Sequence, residues 1–421
     1  MSIQRGLMRS HLVGLGVVAS ALLAGASYAQ ELRYAVGAPP EAPAVGAVEA
    51  YADAVEHYTD GEVSLQIFAM TLLEHDGKSD GIRDGLADMG WVLTPYFPAS
   101  YPHINFISET SMLLGPYDGD MTNKEGLVFG AAVAEFIFHH CPECLDELEA
   151  QNQVYTGHSA GTPYELMCSE PVRDLEEFDG TRVRVGSSNH SRWSDELGGS
   201  SVTMSANEMY EALSHGAVDC IALSTPEILN YSLGELITDL TVGVPGGVFP
   251  FSPFQINRDT WQGLTEDQRE GMLRASAVGA AEVAFTYHDN AEKAMEHVQE
   301  EGAEIHDADE QFVEATESFV DDDMQALYEQ YRDDYGLDRG EEMLETFEEL
   351  LAKWEDLVSD VDDRDDFSEL YWEEIVSRID VESYGMEWRK PRSTGVLLLR
   401  CSVVRLRRHI LSRVTVTHQI P

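Results

Sequence analysis

Basic residues are scarce in this chain: 27 Lys and Arg stand against 76 Asp and Glu, a formal net charge of -49 over 421 residues. A surface of that sign repels phosphate backbones and anionic lipid, which excludes nucleic acid and acidic membranes as partners. Cysteine is sparse too, five in all, and beyond the first thirty residues no apolar run is long enough to span a membrane. Several catalytic and metal signatures are missing. There is no H-E-x-x-H helix and no D-x-D-x-D-G calcium loop, so the familiar zinc-protease and EF-hand patterns are absent. His139 and His140 lie beside the run Cys141-Pro-Glu-Cys144, but no second C-x-x-C or H-x-x-x-H partner exists, and no metal is expected.

What is present is a globular chain: 43% of residues are apolar and their periodicity is clear, which argues against disorder. The excess acid reads as a solvating surface of the kind a salt-tolerant source selects. Arg5 and Arg9 precede the apolar run LVGLGVVASALLAGA, which closes on Ser27-Tyr28-Ala29. Positive head, short apolar core and small-residue site together predict a secretory leader over residues 1–30, cleaved after Ala29. In an oxidising compartment Cys141, Cys144, Cys168 and Cys220 are expected to pair, with all three connectivities open.

From residue 31 the pattern is a β-α-β rhythm. Leu32, Tyr34 and Val36 alternate as a strand, the run GAPPEAPAVG (37–46) reads as irregular, and Val48 to Tyr58 recur at helical spacing. Val63 to Ile67 forms a second strand, a helix is expected over Gly81 to Ala87, and Met89 to Leu93 forms a third strand. Residues 125–150 read as a helix closed by the cysteine turn, and Val154 to His158 as another strand. Thr181 to Val185 places Val183 and Val185 on one face and Arg182 and Arg184 on the other, leading into a Gly186-Ser-Ser-Asn189 loop. Ser205 to Glu208 and Thr265 to Gln268 are capping boxes opening helices, and Val218 to Leu223 is a buried strand. Pro245 to Ile256 reads as a crossing strand with an aromatic rim. Long acidic helices follow near 308–335, 341–359 and 366–379.

Loops at strand ends line the crevice of an open α/β sheet. That rule nominates Trp91, Thr94 and Tyr96 after the third strand, and Arg184 at its own strand end as a carboxylate clamp. His158 and His215 are the candidate bases of a secreted hydrolase, the rival reading, and a stand-alone sensor or adhesion domain is a third.

The run Gly180-Thr-Arg-Val-Arg-Val185, the helix Asn207-Glu-Met-Tyr-Glu-Ala-Leu213, the strand Gly216-Ala-Val-Asp219 and Glu235 before Thr241 resemble the DctP-like substrate-binding proteins of TRAP transporters. The similarity covers roughly residues 31–385. It implies an α/β fold, a two-lobed periplasmic binding protein with mixed sheets and long bridging helices, in which the strand arginine, here Arg184, holds a ligand carboxylate. The implied organisation is a leader over 1–30, lobe I from 31–160, lobe II from 161–243 and a crossover strand and helix over 244–290. C-terminal helices fill 291–388. The basic segment 389–421, with eight Lys and Arg and no acid, is expected to be disordered, either a frameshift product or a basic tail.

The resemblance implies no enzyme activity and no cofactor. It implies a periplasmic receptor that captures a small organic acid anion by domain closure and serves a TRAP membrane permease. The expected ligand-binding set is Arg184, Trp91, Thr94, Tyr96, Tyr164, Ser187, Asn189, Ser224, Phe249 and Phe251. Two places depart from the family's pattern. A G-F-R element is replaced by Gly161-Thr-Pro-Tyr164, and an asparagine after the G-x-V-D strand is replaced by Leu223 and Ser224. The cargo is therefore expected to differ from C4 dicarboxylates and sialic acid, and a compatible solute or amino compound is an alternative.

Overall fold

In a computed structural model the described residues are 29–114 and 124–386. The expected leader and the basic tail, Cys401 included, lie outside them except for residues 29 and 30. All the described residues belong to one compact unit.

β1 (Gln30–Val36), α1 (Pro43–Tyr58), β2 (Val63–Ala69), α2 (Lys78–Arg83) and β3 (Met89–Val92) form the opening α/β unit. Both β2 and β3 pair with β1 in parallel. Two expectations shift here. α1 starts inside the supposedly irregular 37–46 run, because Pro43 sits in the first turn, where a missing N–H costs nothing. α2 occupies 78–83 instead of 81–87, and Gly85 ends that turn at φ 74°.

α3 (Pro102–Ser108) is followed by α4 (Glu125–Glu135), a π-helical turn over Phe136–His140 and α5 (Pro142–Ala150). The helix expected over 125–150 is thus broken once, at Cys141, which is disulfide-bonded to Cys144. With both thiols in that bond, neither is a thiolate that could hold a metal beside His139, whose Nε2 meets the Ile375 carbonyl.

β4 (Gln153–Val154) is shorter than the predicted 154–158 strand. The chain then steps across to β5 (Ser159–Cys168), with the Thr156 hydroxyl donating to the Phe254 carbonyl and the His158 N–H to Tyr371 Oη. α6 (Leu175–Phe178), β6 (Arg182–Val185), α7 (Ser188–Glu196), β7 (Ser200–Thr203), α8 (Met209–Ser214), β8 (Cys220–Ser224) and α9 (Glu227–Asn230) complete a second α/β unit. The predicted serine-rich loop is already helical from Ser188, with Ser187 extended at the N-cap. Both capping boxes form as read.

β9 (Asp239–Asn257) organises the sheet. All 19 of its residues are buried. Its far end pairs antiparallel with β3 (Met89↔Ile256), while its length runs against β5 from Cys168↔Asp239 to Ser159↔Phe251. One strand therefore joins both α/β units in the order β2-β1-β3-β9-β5-β8-β6-β7. After α10 (Arg258–Gly263), the 36-residue helix α11 (Glu266–Glu301) spans about 54 Å. It packs closely on both units: Gly279 lies against Tyr51 of the first, while Tyr287 lies against Gly161 of β5 and donates to Glu227 of α9 in the second. β10 (Glu304–Asp307) adds to β9, and α12 (Glu310–Tyr335), α13 (Gly340–Val358) and α14 (Arg364–Glu374) close the unit. Among the described residues no helix is long and apolar enough to cross a membrane.

The second disulfide joins Cys168 and Cys220, facing residues of β5 and β8, across 52 residues. Loop-closure entropy makes such a bridge worth about 4 kcal/mol, against about 2 kcal/mol for a three-residue spacing. Replacing Cys168 and Cys220 by Ser is expected to lower the melting temperature roughly twice as far as replacing Cys141 and Cys144, measured by calorimetry. Equal losses would show that the β5–β8 ladder alone holds this region.

Candidate functional site

The C-terminal ends of β1, β3, β6 and β8 converge on one cavity. From the β1–β3 side come Val36, Ala38, Ala44, His75, Trp91, Leu93 and Tyr96. Facing them are Tyr164 of β5, Arg184 of β6, Ala206, the Leu223–Tyr231 region after β8, Phe249 and Phe251 of β9, and Tyr287 of α11.

Arg184 is 1% exposed. Its Nη2 donates to Tyr96 Oη at 3.1 Å and to the Met204 carbonyl at 2.9 Å, which fixes the guanidinium plane. Nε and Nη1 are buried with no hydrogen-bond partner among the described residues. Leaving such donors unmade is costly, so the geometry points to an acceptor that the cavity receives. Tyr96 Oη also accepts the Ala206 N–H at 2.9 Å, tying the segment after β3 to the start of the 206–214 turn and helix.

Aromatic rings form the walls. Phe251 meets Trp91 edge-on at 5.2 Å and Tyr287 at 5.0 Å, and Phe249 lies parallel to Tyr164. Tyr164 also stacks on His190 at 4.6 Å. His190 Nε2 is 3.1 Å from the Gly246 carbonyl and Nδ1 is 2.9 Å from Ser187 Oγ. A carbonyl can only accept, so Nε2 carries the proton and the Ser187 hydroxyl donates to Nδ1. Burial holds His190 down at about 4, with Arg184 and Arg192 adding to the shift and the Gly246 hydrogen bond opposing it.

Two further polar groups complete the lining. His75 bonds the Tyr231 hydroxyl at 3.0 Å. Burial, with Lys78 and Arg184 nearby, keeps its imidazole well below the usual range. Gly37 is needed there, since a Cβ would stand 2.5 Å from the His75 ring. Glu227 opens α9, its carboxylate accepting Tyr287 Oη at 2.5 Å and Asn230 Nδ2 at 2.9 Å. Burial pushes its carboxyl up, and the Tyr287 and Asn230 hydrogen bonds and the Arg184 charge pull the other way.

Of the residues nominated from sequence, Arg184, Trp91, Tyr96, Tyr164, Phe249 and Phe251 come together on the cavity. Thr94 is buried beneath it, its carbonyl accepting from Asn105 Nδ2. Ser187 gives its proton to His190, and Asn189 is buried in α7 with its Nδ2 3.4 Å from Ser111 Oγ. Ser224 is buried at the end of β8 beside the lining Leu223. The hydrolase candidates lie elsewhere: His158 is fully buried and His215 is exposed beside Glu211. His75, Glu227, Asn230, Tyr231 and Tyr287 line the cavity without having been nominated. The strand-end rule applied to β8 would have reached Glu227. Tyr287 reads in sequence as one more residue of an apolar helix stripe.

Comparison with known proteins gives consistent results. A family model described as bacterial extracellular solute-binding protein, family 7 (DctP), matches residues 34–331. A solute-binding protein of Albidiferax ferrireducens is 28% identical over 109 residues, 26% of this chain and only 32% of that protein's length. Another from Chromohalobacter salexigens is 23% identical over 307 residues, 70% of this chain and 82% of that protein. The crystal structure of a marine metagenome TRAP solute-binding protein specific for aromatic acid ligands, in complex with metahydroxyphenylacetate, superposes with a TM-score of 0.67. It is 19% identical and covers 77% of this chain and 99% of its own.

An NMR titration of the imidazole resonances is expected to show His190 neutral until the pH falls to about 4. The unfolded chain takes up that proton near pH 6.5, so this group costs stability as pH falls from about 6.5 to about 4, roughly 3 kcal/mol in all. Protonation of His190 near 6.5 in the folded protein would contradict the buried, stacked tautomer.

Proposed function

The chain belongs to the bacterial extracellular solute-binding proteins of family 7, the receptors of TRAP transport, and on that premise we propose that it captures a small organic acid anion by closing two lobes around it and delivers it to a TRAP-type membrane permease. The observation that carries this reading is the buried Arg184 guanidinium, whose Nε and Nη1 have no partner among the described residues and which borders an aromatic cavity. A ligand carboxylate supplies both a counter-charge and acceptors for those N–H groups. The aromatic walls remove water around that contact, which strengthens it, and take up the apolar part of the ligand. The marine receptor named for aromatic acids has the same fold, in keeping with a carboxylate as cargo.

Lobe I would comprise residues 31–160 and lobe II residues 161–243, with 244–290 crossing back between them and 291–388 packing on both. β9 and α11 touch both α/β units, so they are the natural axis of a closing motion. Export through the leader at residues 1–30 would put the receptor in the periplasm. No bond is made or broken in such a cycle.

Thermal-shift screening of the purified protein against carboxylates, keto acids, amino acids and compatible solutes is expected to reveal a ligand that raises the melting temperature, since ligand bound only to the folded state stabilises it. Arg184→Ala should weaken that ligand by about 3–5 kcal/mol, a loss of at least ~100-fold read by calorimetric titration. Unchanged affinity in the variant would sink the assignment of Arg184.

A further inference from the structure

The cavity holds charges of both signs. Glu227 is the ionisable acid among its lining residues, and it shares the space with Arg184. Its hydrogen bonds show what it has left to offer. Asn230 Oδ1 accepts the backbone N–H of Ala44 at 3.2 Å, which orients the side-chain amide so that Nδ2 donates to Glu227 Oε2. Tyr287 Oη sits on the other oxygen, Oε1. Each oxygen thus has one protein group in place, which leaves acceptor capacity on both oxygens of a residue that lines the cavity.

A simple monocarboxylate would neutralise Arg184 and leave Glu227 either to stay an unpaired buried anion or to take up a proton, the direction in which burial already pushes it, and a dicarboxylate would bring a second negative charge toward it. In both cases Glu227 gains no counter-charge from the ligand. A ligand carrying one carboxylate and one positive nitrogen satisfies both walls. The rings of Tyr231, Tyr287 and Phe251 also line the cavity, and aromatic rings attract cations.

Resting on the carboxylate-receptor reading, we propose that the cargo is a zwitterion whose carboxylate lies on Arg184 and whose cationic nitrogen lies on Glu227. Ammonium and quaternary nitrogen share the chemistry this requires, and paired probes separate them. Glycine betaine is compared with its carbon isostere 3,3-dimethylbutanoate, which lacks the cationic nitrogen, L-proline with cyclopentanecarboxylate, and L-phenylalanine with 3-phenylpropanoate, by calorimetric titration of the purified protein. In whichever pair binds, the zwitterion is expected to be at least ~10-fold tighter, and Glu227→Gln to reduce that preference to within about 3-fold while Glu227→Asp keeps part of it. Melting curves of both variants report whether they fold, and the wild-type comparison is decisive without them. A member lacking the cationic nitrogen that binds as tightly as its zwitterion, or a preference that survives Glu227→Gln in folded protein, overturns the proposal. Simple carboxylates that bind through Arg184 would leave the receptor reading standing while removing this one. If no probe of either kind binds, and no carboxylate shifts the melting temperature, both fall together.

Discussion

A guanidinium with buried, unmatched N–H groups is the constraint to which the rest of this structure answers. Arg192 shows what the fold does with an arginine it satisfies internally. That side chain is held by Asp323 through Nε at 2.7 Å and Nη2 at 2.8 Å, and by Glu109 through Nη1 at 2.9 Å. Glu109 in turn accepts from Ser188 and Tyr331. Arg184, four residues before the start of α7, has no carboxylate in hydrogen-bonding contact among the described residues, and only Nη2 is anchored. On the proposed reading, the desolvation of that charge is carried until a ligand supplies an acceptor for Nε and Nη1.

The surrounding architecture fits that reading. β6 brings Arg184 to the cavity by alternation, with Val183 and Val185 in the core on one face. On the opposite face, Arg182, closer to the strand's start, is spent on Asp219. Two arginines of the same face thus meet opposite fates according to where the strand ends. β9 supplies Phe249 and Phe251 while joining the two α/β units, so the aromatic walls and the connection between the units are one element. If the units close as proposed, closing them and enclosing the cavity would be mechanically linked.

Much of this was legible in the sequence because it rests on short-range rules. Alternation in 181–185 and the capping boxes at Ser205 and Thr265 are local patterns, and the strand-end rule placed Trp91, Tyr96 and Arg184 on the cavity. The losses came where tertiary context decides. Ser187 and Asn189 looked like ligand donors beside an arginine, but the Ser187 proton goes to His190, whose orientation depends on Gly246, 56 residues away. His75 precedes a six-residue helix and reads as surface until Gly37 allows it against the chain. Glu227 was one acid among 76, and only its fixed partners Asn230 and Tyr287, the latter 60 residues distant, mark it apart.

If the free donors of Arg184 are the seat of a ligand carboxylate, a crystal structure of the protein with a ligand from the thermal-shift screen will show it. A carboxylate oxygen is expected within about 3 Å of Nε or Nη1 of Arg184, with the ligand's apolar part against Phe249 and Phe251. A bound ligand whose carboxylate lies elsewhere, with those two nitrogens satisfied by protein or solvent, would contradict that role for Arg184.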